Sequence, residues 1–184
     1  MYKSILSLSI LSILAVSCKK EQDPFAIEKQ HIGLLTDSTQ VKDLKMIFAQ
    51  DSVAQPITGD EYMSGGSDIE IFTKTGDKLL VLTPTQALDS TATIESVRIM
   101  DPRYKTAKSI STVSTFKEIQ DSYKISRISN LINTVVVFVD EINASFTIDK
   151  KELPANLRFD MNLKIEKSQI PDSAKVKYFF VHWN

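Results

Sequence analysis

Cysteine and histidine are almost absent from this sequence of 184 residues, which holds one Cys and two His. A tetrahedral Cys/His zinc site takes four such ligands, and a disulfide or a c-type haem attachment needs a second cysteine. The composition therefore excludes all three. Neither sign of charge dominates, because 22 Lys and Arg stand against 23 Asp and Glu, a formal net charge of −1. This balance gives no electrostatic case for nucleic acid, and we expect no nucleic-acid partner.

Glycine and proline are also scarce, with 5 Gly and 6 Pro. Apolar residues make up 42% of the chain and charged residues 24%. These values are typical of globular proteins and exclude collagen, wholesale disorder and a long coiled coil. The length predicts one domain.

The first eighteen residues contain the most specific pattern in the chain. Lys3 precedes an apolar stretch over 5–16, interrupted only by serines, which is shorter than the roughly 20 apolar residues that cross a bilayer. The stretch ends in Ala15-Val16-Ser17-Cys18. Small residues before a lone cysteine resemble the lipobox of bacterial lipoproteins, although that family often has Leu at the place of Ala15. The resemblance implies cleavage between Ser17 and Cys18 and a lipid on Cys18, and the alternative is an ordinary signal peptide with a chance cysteine.

The chain is thus expected to divide into three parts: a signal peptide over 1–17, a lipidated cysteine with a flexible tether over 18–30, and one domain over 31–184. The stretch Lys19-Lys20-Glu21-Gln22-Asp23-Pro24 is polar, which favours a tether. Its mixture of Lys and acidic residues resembles the export signals of Bacteroidota lipoproteins. That resemblance implies a lipid-anchored protein of the outer membrane that faces the periplasm or the cell surface.

Two helices, each followed by strands, are predicted in the body. Apolar residues recur at helical spacing from residue 41 and again from residue 116, each time after a Ser/Thr pair that can cap a helix. Alternating or apolar runs predict strands over 68–73, 78–83, 93–100, 134–139, 144–149, 157–165 and 175–183. We therefore predict an α+β fold of two half-units, 31–105 and 106–184, each with a helix, a hairpin and a strand. The half-units form antiparallel sheet with the short helices packed on it. The last strand is apolar on both faces, which predicts a central, covered strand.

Parts of the body resemble a family of small enterobacterial envelope lipoproteins under the control of an envelope-stress sigma factor. The resemblance lies over 32–39, 93–101, 114–119 and 170–183. It implies an envelope location and this fold. It implies no activity, since none is established for that family.

The residues that could carry chemistry are few. A metal pair or a Ser-His base would need His31 or His182 held beside a carboxylate, and we interpret both histidines as exposed or strand-end residues. The carboxylate pairs are interpreted as solvated turns, with glycosidase or calcium chemistry as the alternative; they are Asp60-Glu61, Asp140-Glu141 and Asp149 with Glu152. A basic cluster is interpreted as a polar loop, with an anionic headgroup or glycan as the alternative partner; it consists of Arg103, Lys105 and Lys108 with Tyr104.

Four Asp-Ser pairs, at 37–38, 51–52, 89–90 and 172–173, resemble the O-glycosylation acceptor of exported Bacteroidota proteins. Ser90 is the preferred candidate because its predicted loop is the longest. The alternative is that Asp-Ser pairs simply favour caps and turns.

The function predicted from the sequence is that of a membrane-anchored, non-enzymatic lipoprotein of the cell envelope that acts through protein or envelope contacts. We expect no metal and no cofactor. The expected partners are the membrane, through the lipid on Cys18, and an envelope protein. The alternative is a module displayed at the cell surface that binds a small molecule or a glycan, and an enzyme is the third hypothesis.

Overall fold

The computed structural model describes residues 22–55 and 67–183, which form twelve strands and two α-helices. In chain order these are β1 (Ala26–Ile27), β2 (His31–Ile32), β3 (Leu35–Thr36), α1 (Leu44–Ile47), β4 (Ser52–Ala54), β5 (Ile69–Phe72), β6 (Lys78–Pro84), β7 (Ile94–Ile99), β8 (Lys105–Thr106), α2 (Phe116–Ser122), β9 (Arg127–Asn130), β10 (Thr134–Val139), β11 (Ala144–Asp149) and β12 (Val176–His182). Short 3-10 turns lie at Val41–Asp43, Asp140–Ile142, Lys150–Glu152, Ala155–Leu157 and Lys167–Gln169.

Eight strands form one large sheet in the order β4-β5-β6-β7-β12-β11-β10-β9. All its neighbouring strands are antiparallel. Each half of the chain contributes a meander of four strands, and the meanders meet where β7 pairs with β12, with Val97 opposite Val181. A small sheet has the order β3-β2-β1-β8. The predicted α+β class is confirmed, and the last strand is central as predicted.

Helix α2 begins at a capping box. The Thr115 side chain accepts a hydrogen bond from the Glu118 backbone N–H, and the Glu118 carboxylate accepts one from the Thr115 N–H at 2.7 Å. Phe116 and Ile119 are fully buried, so the helix covers the core with the face that its spacing predicts. The first predicted helix is shorter, because the 3-10 turn Val41–Asp43 leads into a single α-helical turn.

One face of the large sheet is covered and forms the core. A rung of apolar residues, each at most 2% exposed, crosses six strands; it consists of Ile71, Leu80, Ile99, Phe179, Phe146 and Val137. At its centre the rings of Phe146 and Phe179 lie 4.5 Å apart. Burial of such side chains stabilises the fold by about 1.5–3 kcal/mol each.

The prediction of a strand over 157–165 is wrong. The stretch starts in a 3-10 turn and continues without a strand, and Phe159 within it is 88% exposed. The Asn130 side chain donates hydrogen bonds to the carbonyls of Asp160, at 2.9 Å, and Leu163, at 2.8 Å. These two side-chain hydrogen bonds hold the stretch against the end of β9. A strand would instead have paired with its neighbour through backbone hydrogen bonds. Strands β4 and β9 of the large sheet and all four strands of the small sheet were not predicted.

The folded body begins before residue 31. Ala26 and Ile27, which the sequence assigned to the tether, pair in parallel with β8, and Ile27 is 1% exposed. The Phe25 ring packs edge-on against Tyr104, with 5.0 Å between ring centroids. The Arg103 guanidinium lies 4.5 Å from the centroid of the Phe25 ring. The tether predicted over 18–30 therefore contains part of the fold.

Replacing Gly33 by Ala should destabilise the protein strongly. Gly33 has a φ of +56°, and a Cβ there would overlap the Pro24 carbonyl oxygen. Backbone strain and overpacking together predict a loss of more than about 2 kcal/mol in the free energy of unfolding. Gly76→Ala is the matched control, because Gly76 has a φ of +93° and open space around it, which predicts a loss of about 1 kcal/mol. Urea unfolding measures both, and equal losses would contradict the close approach at Gly33.

Phe179 and Phe180 offer a second comparison, since neighbours on a strand point to opposite faces. Phe179 is fully buried and Phe180 only partly so. Phe179→Ala should therefore lower the free energy of unfolding by about 3–5 kcal/mol, and Phe180→Ala by less than half as much. The measurement is again urea unfolding. A larger loss for Phe180→Ala would show that the covered face has been assigned to the wrong residues.

Candidate functional site on the open face of the large sheet

The other face of the large sheet carries a second rung of residues across five strands. In register, this rung consists of Arg98 of β7, Phe180 of β12, Ser145 of β11, Phe138 of β10 and Arg127 of β9. Together with Tyr178 and His182 of β12, these residues are called the open face below. They share one side of the sheet because side chains alternate along a strand.

The open face is partly accessible to solvent, although Ser145 at its centre is buried. Tyr178 is 38% exposed, Arg127 is exposed, and Phe138 and Phe180 are partly buried. The sequence predicted that the last strand is covered on both faces. That prediction is wrong, because β12 is fully buried only through Phe179 and Val181.

Aromatic rings line this face, and each of the two guanidinium groups lies close to one of the rings. The rings of Phe180 and His182 are stacked with 6.2 Å between centroids, and Tyr178 packs edge-on against Phe180 at 6.4 Å. The Arg127 guanidinium lies 3.8 Å from the Phe138 centroid, and that of Arg98 lies 5.5 Å from the Tyr178 centroid. The charge distribution of an aromatic ring attracts a cation to its face, which favours these positions.

Neither arginine of the open face forms a salt bridge within residues 22–55 and 67–183. Glu70 lies on the same rung, beyond Val81, but its carboxylate binds Lys78 at 2.5 Å. The Arg98 Nε is buried and has no hydrogen-bond partner in the part of the chain that the structure describes. Neither of the two cationic groups on this face is thus neutralised by a carboxylate of the described residues.

His182 and Ser145 form a hydrogen-bonded pair, with 2.9 Å between Nε2 and Oγ. Burial lowers the pKa of His182, and the nearby charge of Glu95 opposes that shift. The imidazole is therefore neutral near pH 7. A serine hydrolase needs a serine that substrate can reach and a carboxylate that orients the histidine. Ser145 is only 4% exposed, so this pair joins β11 to β12 and does not present a nucleophile.

His31 lies apart from that pair, on β2 of the small sheet, with its Nε2 3.6 Å from the Glu28 carboxylate. No group of three or more His, Cys, Asp or Glu within the described ranges is arranged to hold a metal ion. The two histidines are thus held in separate sheets, each by one local partner.

The predicted basic cluster does not converge on one site. The Arg103 guanidinium binds Asp101 through two bonds, Nε to Oδ1 at 3.0 Å and Nη2 to Oδ2 at 2.7 Å. This hydrogen bonding lowers the pKa of Asp101. Lys108 donates to the Glu141 carboxylate at 2.7 Å and to the Ser122 carbonyl at 2.9 Å.

The carboxylate pairs are similarly engaged in local contacts. Asp140 accepts a hydrogen bond from the Ser126 hydroxyl at 2.7 Å. Asp149 binds Lys177 at 2.9 Å, and Glu152 accepts from the Lys175 N–H at 3.3 Å. Asp60-Glu61 lies outside the described residues. Asp140, Glu141 and Glu152 lie in 3-10 turns as the interpretation expects, whereas Asp149 is the last residue of β11 and caps the turn that follows it.

Ser90, the preferred glycosylation candidate, is exposed in the turn between β6 and β7. The Asp89 carboxylate accepts hydrogen bonds from the Thr91 N–H and hydroxyl, both at 2.7 Å, which lowers the pKa of Asp89. A cavity of about 300 Å³ lies beside the turn, lined by Lys42, Lys45, Asp89 and Ser90 among others. This geometry is compatible with both interpretations of the Asp-Ser pair, an accessible O-glycosylation site and a simple turn. Glycosylation of Ser90 thus stays a prediction, and Ser17 and Cys18 lie outside the described residues.

Arg98 and Arg127 are the functional candidates that sequence reasoning missed. Arg98 lies within the strand predicted over 93–100, where its position next to the buried Ile99 assigns it to the opposite face. Arg127 lies in a stretch that was not predicted as a strand. The strand alternation around residue 98 was the one available signal.

Comparisons with known proteins extend to the fold alone. No family model matches the sequence, and no curated protein matches it. The fold is similar to that in the crystal structure of the uncharacterized protein YfeY from Escherichia coli, with a TM-score of 0.54 and 14% sequence identity. The similarity covers 85% of this chain and 99% of that chain.

The described helices are also too short or too polar for a membrane span, so none of them could cross a bilayer.

The lowered pKa of His182 predicts that stability falls in mild acid. An unfolded histidine has a pKa of about 6.5, and the folded pKa lies below that value. Between the two values the unfolded state binds more protons, so the free energy of unfolding decreases as the pH falls below about 6.5. His182→Gln keeps a polar partner for Ser145 and should remove this part of the pH dependence. Urea unfolding between about pH 8 and pH 5 tests it, and identical slopes in both proteins would contradict the assignment.

Proposed function

We propose that this chain is a non-enzymatic lipoprotein of the bacterial outer membrane, anchored by a lipid on Cys18. The observation that carries the proposal is the lone cysteine after Ala15-Val16-Ser17, at the end of an apolar stretch too short to cross a bilayer. Several buried acyl chains anchor a protein stably, since each CH₂ contributes about 0.8 kcal/mol. The anchored body faces the periplasm or the cell surface.

The short distance along the chain from Cys18 to the body is consistent with this anchoring. The described residues start at Gln22, whose side chain donates to the Gly33 carbonyl at 2.5 Å. Phe25 packs against Tyr104 shortly afterwards. Four residues reach at most about 14 Å, so a lipid on Cys18 would keep the body at the membrane surface. Contact with other envelope components is then the proposed role, because it requires no catalytic or metal-binding group.

A non-enzymatic role through protein contacts also agrees with the surroundings of the charged and nucleophilic side chains, which are paired within the chain or buried. Arg103 and Lys108 bind carboxylates of the same chain. Ser145, the serine beside His182, is buried. These groups stabilise the fold, and an envelope protein is the partner that we propose.

We further propose that the chain is a Bacteroidota lipoprotein and a remote relative of the enterobacterial envelope-stress lipoproteins. The polar stretch behind Cys18 supports the first statement, and the sequence resemblance over the body supports the second. Both half-units place one helix before four strands, which supports an origin by duplication.

A ligand-binding module displayed by the same anchor is the second candidate function. The open face supports it, because Arg98 and Arg127 lie there without carboxylate partners among the described residues. The two candidates share the anchor and differ in what the body contacts.

Cys18→Ser should abolish acylation and release the protein from the membrane. Serine has no thiol to carry the lipid, and the rest of the chain is unchanged. The measurement is incorporation of labelled fatty acid together with fractionation of cells that produce either protein. Ser90→Ala serves as a control that should stay with the membrane. If Cys18→Ser still carries fatty acid and sediments with outer membrane, the anchor assignment is wrong.

A further inference from the structure

We propose that the open face binds an extended acidic polysaccharide, whose carboxylates are bound by Arg98 and Arg127. This proposal rests on the second candidate function, the ligand-binding module, and specifies the class of its ligand. It does not depend on the lipid anchor.

The first argument is the unneutralised charge of the two arginines. A guanidinium has five N–H donors in a planar fork and binds a carboxylate through two of them. Within the described residues, neither Arg98 nor Arg127 forms a salt bridge. The Arg98 Nε is itself buried, so an external carboxylate would bind the terminal Nη groups of that side chain.

The second argument is the distance between the two cationic groups. Arg98 and Arg127 lie on the same rung with three strands between them. Neighbouring strands are about 4.8 Å apart. The Arg98 guanidinium lies near the ring of Tyr178 on β12, and the Arg127 guanidinium lies over the ring of Phe138 on β10. Only β11 separates these two strands, so the two charged groups are roughly 10 Å apart. A single carboxylate or phosphate group can bind one guanidinium but cannot reach both. The spacing therefore favours a polymer that crosses the strands and carries repeated negative charges.

The third argument is the surface between the arginines. Phe180 and Phe138 present partly buried rings there, and the buried Ser145 lies on the strand between them. The backbone groups of these central strands are already paired in the sheet, so an extended peptide finds no free edge on which to add a strand. A sugar chain needs no such edge, because its apolar C–H faces can pack on rings while its carboxylates reach the arginines.

The test uses the full mature chain with Cys18→Ser and polygalacturonate as the probe. Isothermal titration at low salt should give saturable binding that weakens as salt is added. Arg98→Gln and Arg127→Gln should each weaken binding about tenfold or more, because each removes a charge-assisted contact. Lys117→Gln is the matched control, because it removes the same charge from α2, and it should change binding less than about twofold. Neutral dextran should not bind.

The alternative outcomes separate the ligand class from the binding function. If poly-L-glutamate binds as tightly and with the same dependence on both arginines, the saccharide assignment is wrong while a ligand-binding module survives. If no probe binds, or if Lys117→Gln weakens binding as much as the arginine variants do, the open face is not the site and the second candidate loses its support. Arg98→Lys and Arg127→Lys are conservative controls that keep the positive charge at each position. Urea unfolding of every variant shows whether it is folded. Unchanged binding in well-folded arginine variants would also overturn the proposal.

Discussion

The pairing of β7 with β12 joins the two halves of the chain into one sheet. Val97 lies opposite Val181 and Ile99 opposite Phe179. Without this pairing, each meander would end in an exposed strand edge and would lose part of the cover of its apolar face. The open face depends on the same ladder, because Arg98 and Phe180 become neighbours only across it. Fold and candidate site thus rest on one long-range contact.

Local signals in the sequence predict local structure well. Helix α2 was predicted because its Ser/Thr cap and the spacing of Phe116 and Ile119 lie within a few residues of one another. The alternation over 157–165 was equally regular, yet no strand forms there. A strand needs a neighbour with free backbone groups, and the alternation of side chains does not specify one. Asn130 bonds to this stretch through its side chain instead.

The candidate site was harder to predict for the same reason. Arg98 and Arg127 belong to different halves of the chain, and three strands lie between them in the sheet. Their shared rung follows from the registers of four strand pairs. No spacing along the chain encodes such a set, whereas the anchor at Cys18 is a contiguous motif that sequence reasoning can find. Arg98 alone could have been assigned to a face, from its place beside Ile99.

The two edges of the large sheet have a consequence for how the protein behaves when many copies are crowded together. One edge is β4, with three residues, and the other is β9, with four. A long free edge can template another chain and extend a sheet from molecule to molecule. Here one edge is very short, and the other carries the exposed Arg127 and is bonded at Asn130 to the stretch around Asp160. The sheet therefore ends within one molecule, and dense arrays of this protein should resist edge-to-edge polymerisation.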